Sequence, residues 1–274
     1  MTALDDIIAR TRADLPERQA ALPMNELREQ CATIPPCRDF VGSLLPSGDD
    51  ETRVIAEVKR RSPSAGWIRA EYDSSLFMPE VIAREYEAAG AAAISCLTEQ
   101  THFSGNIEYI NRIKKCVALP VLRKDFIIDP WQVWESRAAG ADAVLLIAEC
   151  LEGERLRQLA GLAASIGLDL LIEIHTPDNL DRALAAVVST GGKALLGVNN
   201  RDLSSMRVDL EHTLNIARRI VDYRLLVSES GIRSSDDLVR LRKAGVHRVL
   251  VGETLMRDPH PGRALSHLLK RTAS

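Results

Sequence analysis

No two of the five cysteines (Cys31, Cys37, Cys96, Cys116 and Cys150) form a CxxC pair, none stands by a histidine motif, and their number is odd. That spacing excludes a disulfide framework or a zinc knuckle and fits reduced thiols in a cytosolic protein. Apolar runs all fall short of the roughly 18 residues of a membrane span. The N-terminus, MTALDDIIARTRADL, alternates charge too often for a signal-peptide core. A cytoplasmic location with no membrane partner is therefore expected. Neither sign of charge dominates: 35 basic against 38 acidic residues leave a formal net charge of -3, which gives no global attraction for nucleic acid. HExxH and clustered Cys/His sets are missing, so neither a metal nor another cofactor is expected. A GxSxG elbow is missing too, and the isolated serines lack a His/Asp arrangement.

What is present is a regular alternation. A chain of 274 residues has the length of one α/β barrel or two small domains. From Leu4 to about Gln30 it reads as helical, with an apolar stripe at Leu4, Ile7 and Ile8, an interruption at Pro16 and a second stretch through Leu27. Pro35 to Glu51 has the composition of a loop. Eight β-prone runs follow: VIAEV from Val54, AAISCL from Ala92, PVLR from Pro120, AVLLIA from Ala143, DLLIEI from Asp169, ALLGV from Ala194, RLLVS from Arg224 and RVLVG from Arg248. Each precedes a helical stretch, such as the stripe Leu156, Leu159, Ala160 and Ala163. Gly90, Gly140 and Gly245 recur at the helix-to-strand junction, where glycine supplies the left-handed residue that closes a helix. Eight βα units in about 220 residues predict a single (β/α)8 TIM barrel over residues 53–274, preceded by an N-terminal helical extension and linker over residues 1–52. A doubly wound open sheet is the competing architecture.

In a barrel, functional residues gather at the C-terminal strand ends. Charged and polar groups fall there repeatedly. Glu57 and Lys59, two apart on one face of the first run, are followed by the hydroxyl- and turn-rich loop Ser62, Pro63, Ser64, Gly66. The third run ends in Lys124, the fifth carries Glu173 and His175, the sixth ends in Asn199, Asn200 and Arg201, the seventh in Ser228, Glu229 and Ser230, and the eighth in Gly252 and Glu253. Lysines beside carboxylates and glutamates in a partly desolvated mouth point to acid–base chemistry on a carbonyl or hydroxyl substrate. A Schiff-base lysine fits the same residue types. The loops after the last two runs, SESGIRS and VGETLM, place Ser230, Gly231, Gly252 and Glu253 where barrels often cradle phosphate, with Ser62 and Lys59 in reach. An acidic Glu253 in that place requires its side chain to turn away from the anion.

At these residues the sequence closely resembles the indole-3-glycerol phosphate synthase family. The matching blocks are IAEVKRRSPSAG, CLTEQTHFSG, VLRKDFIIDPWQVWESRAAGADAVLLI, LIEIHT, LGVNNRDL, LVSESGI and VGETLM, in family order from Val54 to Met256. The resemblance implies a phosphorylated small-molecule substrate, 1-(2-carboxyphenylamino)-1-deoxyribulose 5-phosphate, closed to indole-3-glycerol phosphate with loss of carbon dioxide and water. It implies Lys124 as the general acid of ring closure and Glu173 as the general base of dehydration. Glu57 and Lys59 match the EVK pair, with Lys59 holding the substrate or donating a proton in the second step. Asn199, Arg201, Glu229 and Ser230 match positions that orient the carboxylate and hydroxyls. Ser62, Gly231, Gly252 and Glu253 match the phosphate loops, and Phe103, Phe126 and Leu145 match an apolar slot pressing the aryl ring against the carbonyl. Trp131 and Trp134 read as packing, His175 as a supporting residue, and His102, His212, His247, His260 and His267 as surface or loop residues. A monomer is expected.

Two other readings compete. A phosphoribosylanthranilate isomerase would share the phosphate cradle but works with a cysteine and an aspartate, and Cys96 lies within a strand run. A non-catalytic barrel that retained only a phosphate grip would be expected to shed Glu57, Lys59, Lys124 and Glu173, which are all present.

Overall fold

The computed structural model describes residues 3–48, 50–74, 77–202, 207–220 and 222–270. Three helical segments come first: α1 (Ala3–Ala21), α2 (Met24–Thr33) and the single turn α3 (Phe40–Ser43). The first strand, β1 (Arg53–Val58), is followed by a small hairpin, β2 (Arg61–Ser62) antiparallel to β3 (Gly66–Trp67). With β1, seven further strands close a parallel barrel: β4 (Ala93–Leu97), β5 (Val121–Lys124), β6 (Ala143–Ile147), β7 (Asp169–Ile174), β8 (Ala194–Asn199), β9 (Leu226–Glu229) and β10 (Arg248–Val251). β1 pairs with both β4 and β10, which closes the ring and excludes the open sheet. Helices α4 (Pro79–Ala88), α5 (Glu108–Lys114), α6 (Pro130–Ala138), α7 (Arg155–Ser165), α8 (Leu180–Ser189), α9 (Glu211–Ala217) and α10 (Ser235–Lys243) alternate with the strands. The four-residue α11 (Glu253–Met256) follows β10 directly, and α12 (Pro261–Lys270) completes the outer layer. Gly90, Gly140 and Gly245 take φ of 90°, 88° and 81°, the left-handed closure expected of all three.

Strand alternation sorts the side chains into two cores. Val54, Ala56, Ile94, Cys96, Val144 and Ile172 face the helices, while Ile55, Ala93, Leu122, Leu145, Leu171, Leu195, Val227 and Leu250 fill the barrel interior. The interior parity carries Glu57, Lys124, Glu173, Asn199 and Glu229 inward at the upper strand ends.

Local structure departs from the sequence expectations in three places. Pro16 lies inside the continuous helix α1, and the break comes at Leu22 and Pro23 before α2. An interior proline costs a helix about 3 kcal/mol or more. Here tertiary anchors flank it: Leu15 buries with Leu27 and Trp131, and Arg18 grips both carboxylate oxygens of Glu135 at 2.6 Å. The segment read as loop before β1 contains α3, capped by Asp39, whose Oδ1 accepts from Gly42 N at 2.7 Å. Phe40 and Leu44 are fully buried in the barrel interior, and the Phe40 and Val41 amides donate to Asp169 Oδ2 at 3.0 and 3.1 Å. The loop expected after β1 is instead the β2–β3 hairpin, with Ser62 paired to Gly66.

Candidate active site

At the C-terminal end of the barrel lies a cavity of about 970 Å³, lined from β1 by Glu57 and Lys59, from β5 by Lys124, from β7 by Glu173, from β8 by Asn199 and from β9 by Glu229. The opposite face of β5 explains why Lys124 points inward. Its neighbour Arg123 faces the helix layer, where it is wholly buried and paired with Asp125 at 2.8 Å and Glu135 at 2.7 Å. A buried guanidinium needs such partners, and satisfying it pins the end of β5, so that Lys124 takes the opposite face.

Lys124 Nζ lies 3.1 Å from Glu173 Oε2 and 3.7 Å from Glu229 Oε2. Burial works against its charge, but Glu173, Glu229 and Glu57 outweigh burial and hold the ammonium protonated. Burial likewise opposes the charge of Glu173, yet Lys124 and His175 prevail and bring its carboxyl down to about 2. Asn199 Nδ2 adds a hydrogen bond to Glu173 Oε1 at 3.3 Å. Glu229 goes the other way: burial and the negative Glu173 beside it push its carboxyl well above the ordinary range, against the pull of Lys124. One carboxylate, one carboxylic acid and one ammonium thus share the barrel mouth. This divides acid and base roles between groups of similar chemistry, since two adjacent buried carboxyls do not both ionise.

Glu57 and Lys59 form a separate pair, Lys59 Nζ to Glu57 Oε1 at 2.7 Å. Two glycines make room for the glutamates: a Cβ at Gly252 would collide with Glu57 Oε1, and one at Gly197 with Glu229 Oε1. Gly252, expected to let backbone approach an anion, has a φ of -126°, and its missing Cβ also leaves room for the Glu57 carboxylate. Gly231 does have positive φ, 82°, directly after Ser230 at 67°. This pair of left-handed residues turns the chain sharply at the end of β9, and the Ser230 carbonyl accepts from Asn200 Nδ2 at 3.1 Å.

Ser62, Ser230, Gly231, Gly252 and Glu253 line one side of the cavity together with Arg201, Arg207, Arg233 and Arg257. The Glu253 carboxylate is drawn to arginines, 2.7 Å from Arg257 and 3.5 Å from Arg201. Burial opposes its charge; Arg257, Lys59 and Arg201 bring its carboxyl below the usual range. These partners line the same cavity, so the Glu253 side chain is held among its cations rather than turned away as expected. Across the cavity Phe103 and Phe126 stand with ring centroids 6.2 Å apart beside Leu145. Of the strand-end groups read from sequence, Asn200 and Ser228 do not line this cavity but bond to each other and to Thr213 of α9; the residues assigned to catalysis and substrate binding all line it.

Other features were not foreseen. Leu4 and Ile7 of α1 also line the cavity, so the extension reaches the mouth. His102, read as a surface or loop residue, lies in the loop after β4 and joins it to α1: Nε2 lies 3.1 Å from Asp6 of α1 and Nδ1 3.1 Å from Glu99. His212 is half-buried, and burial lowers its pKa. Cys96 faces the helix layer with its thiol pushed up by burial, which removes it as an isomerase-type acid or base. Trp131 and Trp134 pack as expected, under Arg18 and Arg28 of the extension. No motif flags Gly197, since its need arises from a glutamate on the neighbouring strand.

The model of the family described as indole-3-glycerol phosphate synthase matches residues 4–268. The chain belongs to the indole-3-glycerol phosphate synthase family. Its relatives include proteins of that name from Rhodopirellula baltica, 47% identical over 259 residues, covering 94% of this chain and 95% of the relative. Another, from Acidithiobacillus ferrooxidans, is 44% identical over 266 residues, 97% of each, and one from Kineococcus radiotolerans is 42% identical over 271 residues, 98% of this chain and 95% of the relative. Among solved structures, a mutant tryptophan synthase alpha-subunit from Pyrococcus furiosus superposes with a TM-score of 0.59 at 14% identity, covering 80% of this chain and 98% of that one. KGPDC from Streptococcus mutans gives 0.61 at 13%, covering 81% and 99%. Those two likenesses establish the barrel fold. The synthase family covers the extension as well as the barrel, since its match begins at residue 4 in α1.

Proposed function

We propose that the Lys124–Glu173 pair performs the acid–base chemistry of the indole-3-glycerol phosphate synthase reaction in this chain. As a member of that family the protein is a carboxy-lyase of tryptophan biosynthesis. It closes 1-(2-carboxyphenylamino)-1-deoxyribulose 5-phosphate to indole-3-glycerol phosphate, releasing carbon dioxide and water. In the first step the aryl carbon bearing the carboxylate attacks the ribulose ketone, and Lys124 gives its proton to the ketone oxygen. Carbon dioxide then leaves and restores aromaticity. In the second, Glu173 removes a proton while the new hydroxyl departs as water, with Lys59, the other lysine lining the cavity, supplying the proton. Glu57 holds Lys59, Asn199 orients Glu173, and the neutral Glu229 leaves Lys124 and Glu173 as the charged pair.

The observation that carries this reading is the close contact of a protonated lysine with an ionised glutamate, both facing one cavity. General acid–base groups held at such distance contribute about 10²–10⁴-fold. Phe103, Phe126 and Leu145 form the slot that presses the aryl ring toward the carbonyl. Arg201 and Ser230 orient the substrate carboxylate and hydroxyls, while Ser62, Gly231, Gly252 and Glu253 take the phosphate end. The same proposal takes residues 1–52 as extension and linker and 53–274 as the catalytic barrel, with the protein a cytoplasmic monomer. Among the described residues no helix is long and apolar enough to cross a membrane, and all five cysteines are unpaired. The test is direct: purified protein given the carboxyphenylamino substrate should develop indole fluorescence and release carbon dioxide in equal amounts. Absence of both signals would refute the reading.

A further inference from the structure

A chain of contacts runs from the proposed base away from the substrate cavity. Glu173 Oε1 lies 3.3 Å from His175 Nε2, and His175 Nδ1 lies 3.4 Å from Glu149 Oε2. Glu149, in the turn after β6, is fixed by more than the imidazole. Its Oε1 accepts the His175 amide at 2.8 Å, the Thr176 amide at 3.1 Å and Asn179 Nδ2 at 2.9 Å. The His175 side chain is only 6% exposed.

We propose that His175, clamped by Glu149, is a positioning residue that aims Glu173 at the substrate. The imidazole stands between two carboxylates, with Nε2 facing Glu173 Oε1 and Nδ1 facing Glu149 Oε2. It meets Glu173 at the oxygen that Lys124, 3.1 Å from Oε2, does not. This matters because Lys124 gives up its proton during ring closure, so that for the next step the placement of Glu173 depends on its other partners.

The groups around these contacts are few enough to name. Glu173 is faced by Lys124 of β5, Glu229 of β9, Asn199 of β8, His175 just past its own strand and the Cys150 thiol after β6, which also faces Glu149. His175 is faced by Glu173, by Glu149 and by His212 of α9. Glu149 and Glu173 are both held below the usual carboxylate range: burial opposes their charge in each case, and His175 is among the groups that overcome it.

The inference rests on the reading of Glu173 as base, and the experiment separates the two. Values of kcat and KM are measured by product fluorescence for the wild type and for Glu173→Gln, His175→Gln and Glu149→Gln. His175→Gln keeps an amide donor but removes the imidazole. Glu149→Gln keeps the oxygen that accepts the backbone amides and removes the anion behind the imidazole. A base that loses its aim loses rate rather than substrate affinity, so kcat should fall about tenfold or more in both variants with KM changed less than kcat. A kcat within about threefold of wild type in both, or a KM raised as much as kcat falls, would show that His175 only packs the turn and overturns the proposal. Turnover surviving in Glu173→Gln within tenfold of wild type would overturn the base assignment itself, and the positioning role with it.

Discussion

Lys124 and Glu173 meet at 3.1 Å from β5 and β7, two strands apart in the ring, with β6 contributing only Leu145 and Ile147 to the cavity between them. The ammonium is therefore poised over a carboxylate before substrate arrives. Both side chains are largely withdrawn from water, at 16% and 1% exposure, so their charges depend on each other.

Lys124→Ala should reduce turnover by about 10²–10⁴-fold, the range for a lost general acid, while substrate binding stays within a few-fold. Single-turnover fluorescence and calorimetric titration with substrate would measure the two quantities separately. Near-normal turnover would remove Lys124 from the acid role.

Glu173→Gln should slow turnover by orders of magnitude. A loss smaller than about tenfold, or 1.4 kcal/mol, would count against the base assignment. The substitution is close to isosteric, so circular dichroism should show the barrel intact.

Glu229→Gln tests the sign of a buried acid. The Glu229 carboxyl is raised by burial and by Glu173, so the folded state keeps a proton that the unfolded chain releases above its ordinary value of 4.5. The stability tied to that proton is fully present below pH 4.5 and is lost as pH rises toward the elevated folded value. Removing the group should flatten this fall, making the variant gain melting temperature relative to wild type as pH increases from about 5 to 8. An unchanged difference across that range would show Glu229 ionised.

Gly197→Ala should displace the Glu229 side chain, since the new methyl would meet Glu229 Oε1 and lie 3.3 Å from Leu171 Cδ1. Overpacking of this kind costs about 1–3 kcal/mol. The expected outcome is a lower melting temperature and lost activity together. Recovery of the melting temperature on adding Glu229→Ala would identify the clash as the cause.

The tie between α1 and the barrel mouth depends on His102. Burial works against its charge, but hydrogen bonds to Glu99 and Asp6 raise its pKa. The tie is strongest below the ordinary histidine value of 6.5 and weakens as pH rises through the raised one. Hydrogen exchange of the amides of Asp5 to Ala9 should accelerate over that interval, and His102→Ala should abolish the pH dependence.

Strand number, closure and the inward parity of Glu57, Lys124, Glu173 and Glu229 were legible in the sequence, because period-two alternation fixes which side chains share a face. The apolar slot was legible only through resemblance to the family. What periodicity does not carry is contact between distant segments. The position of Phe40 under the barrel depends on Asp169 accepting two amides from a segment about 130 residues earlier. The continuity of α1 through Pro16 depends on Glu135, and the need for Gly197 arises from Glu229 on the next strand. Tertiary partners of this kind override local propensity, and no window of neighbouring residues contains them.

Phe40 and Leu44 cork the lower end of the barrel, packing with Ile55, Leu122 and Leu171. A close-packed interior of this sort offers no water-sized passage. Among the described residues the lower end is filled by this packing, while the cavity lies at the other end and is lined in part by Leu4 and Ile7. Substrate and products then share the end of the barrel where α1 stands. Traffic through that end therefore passes beside α1, which His102 joins to the barrel.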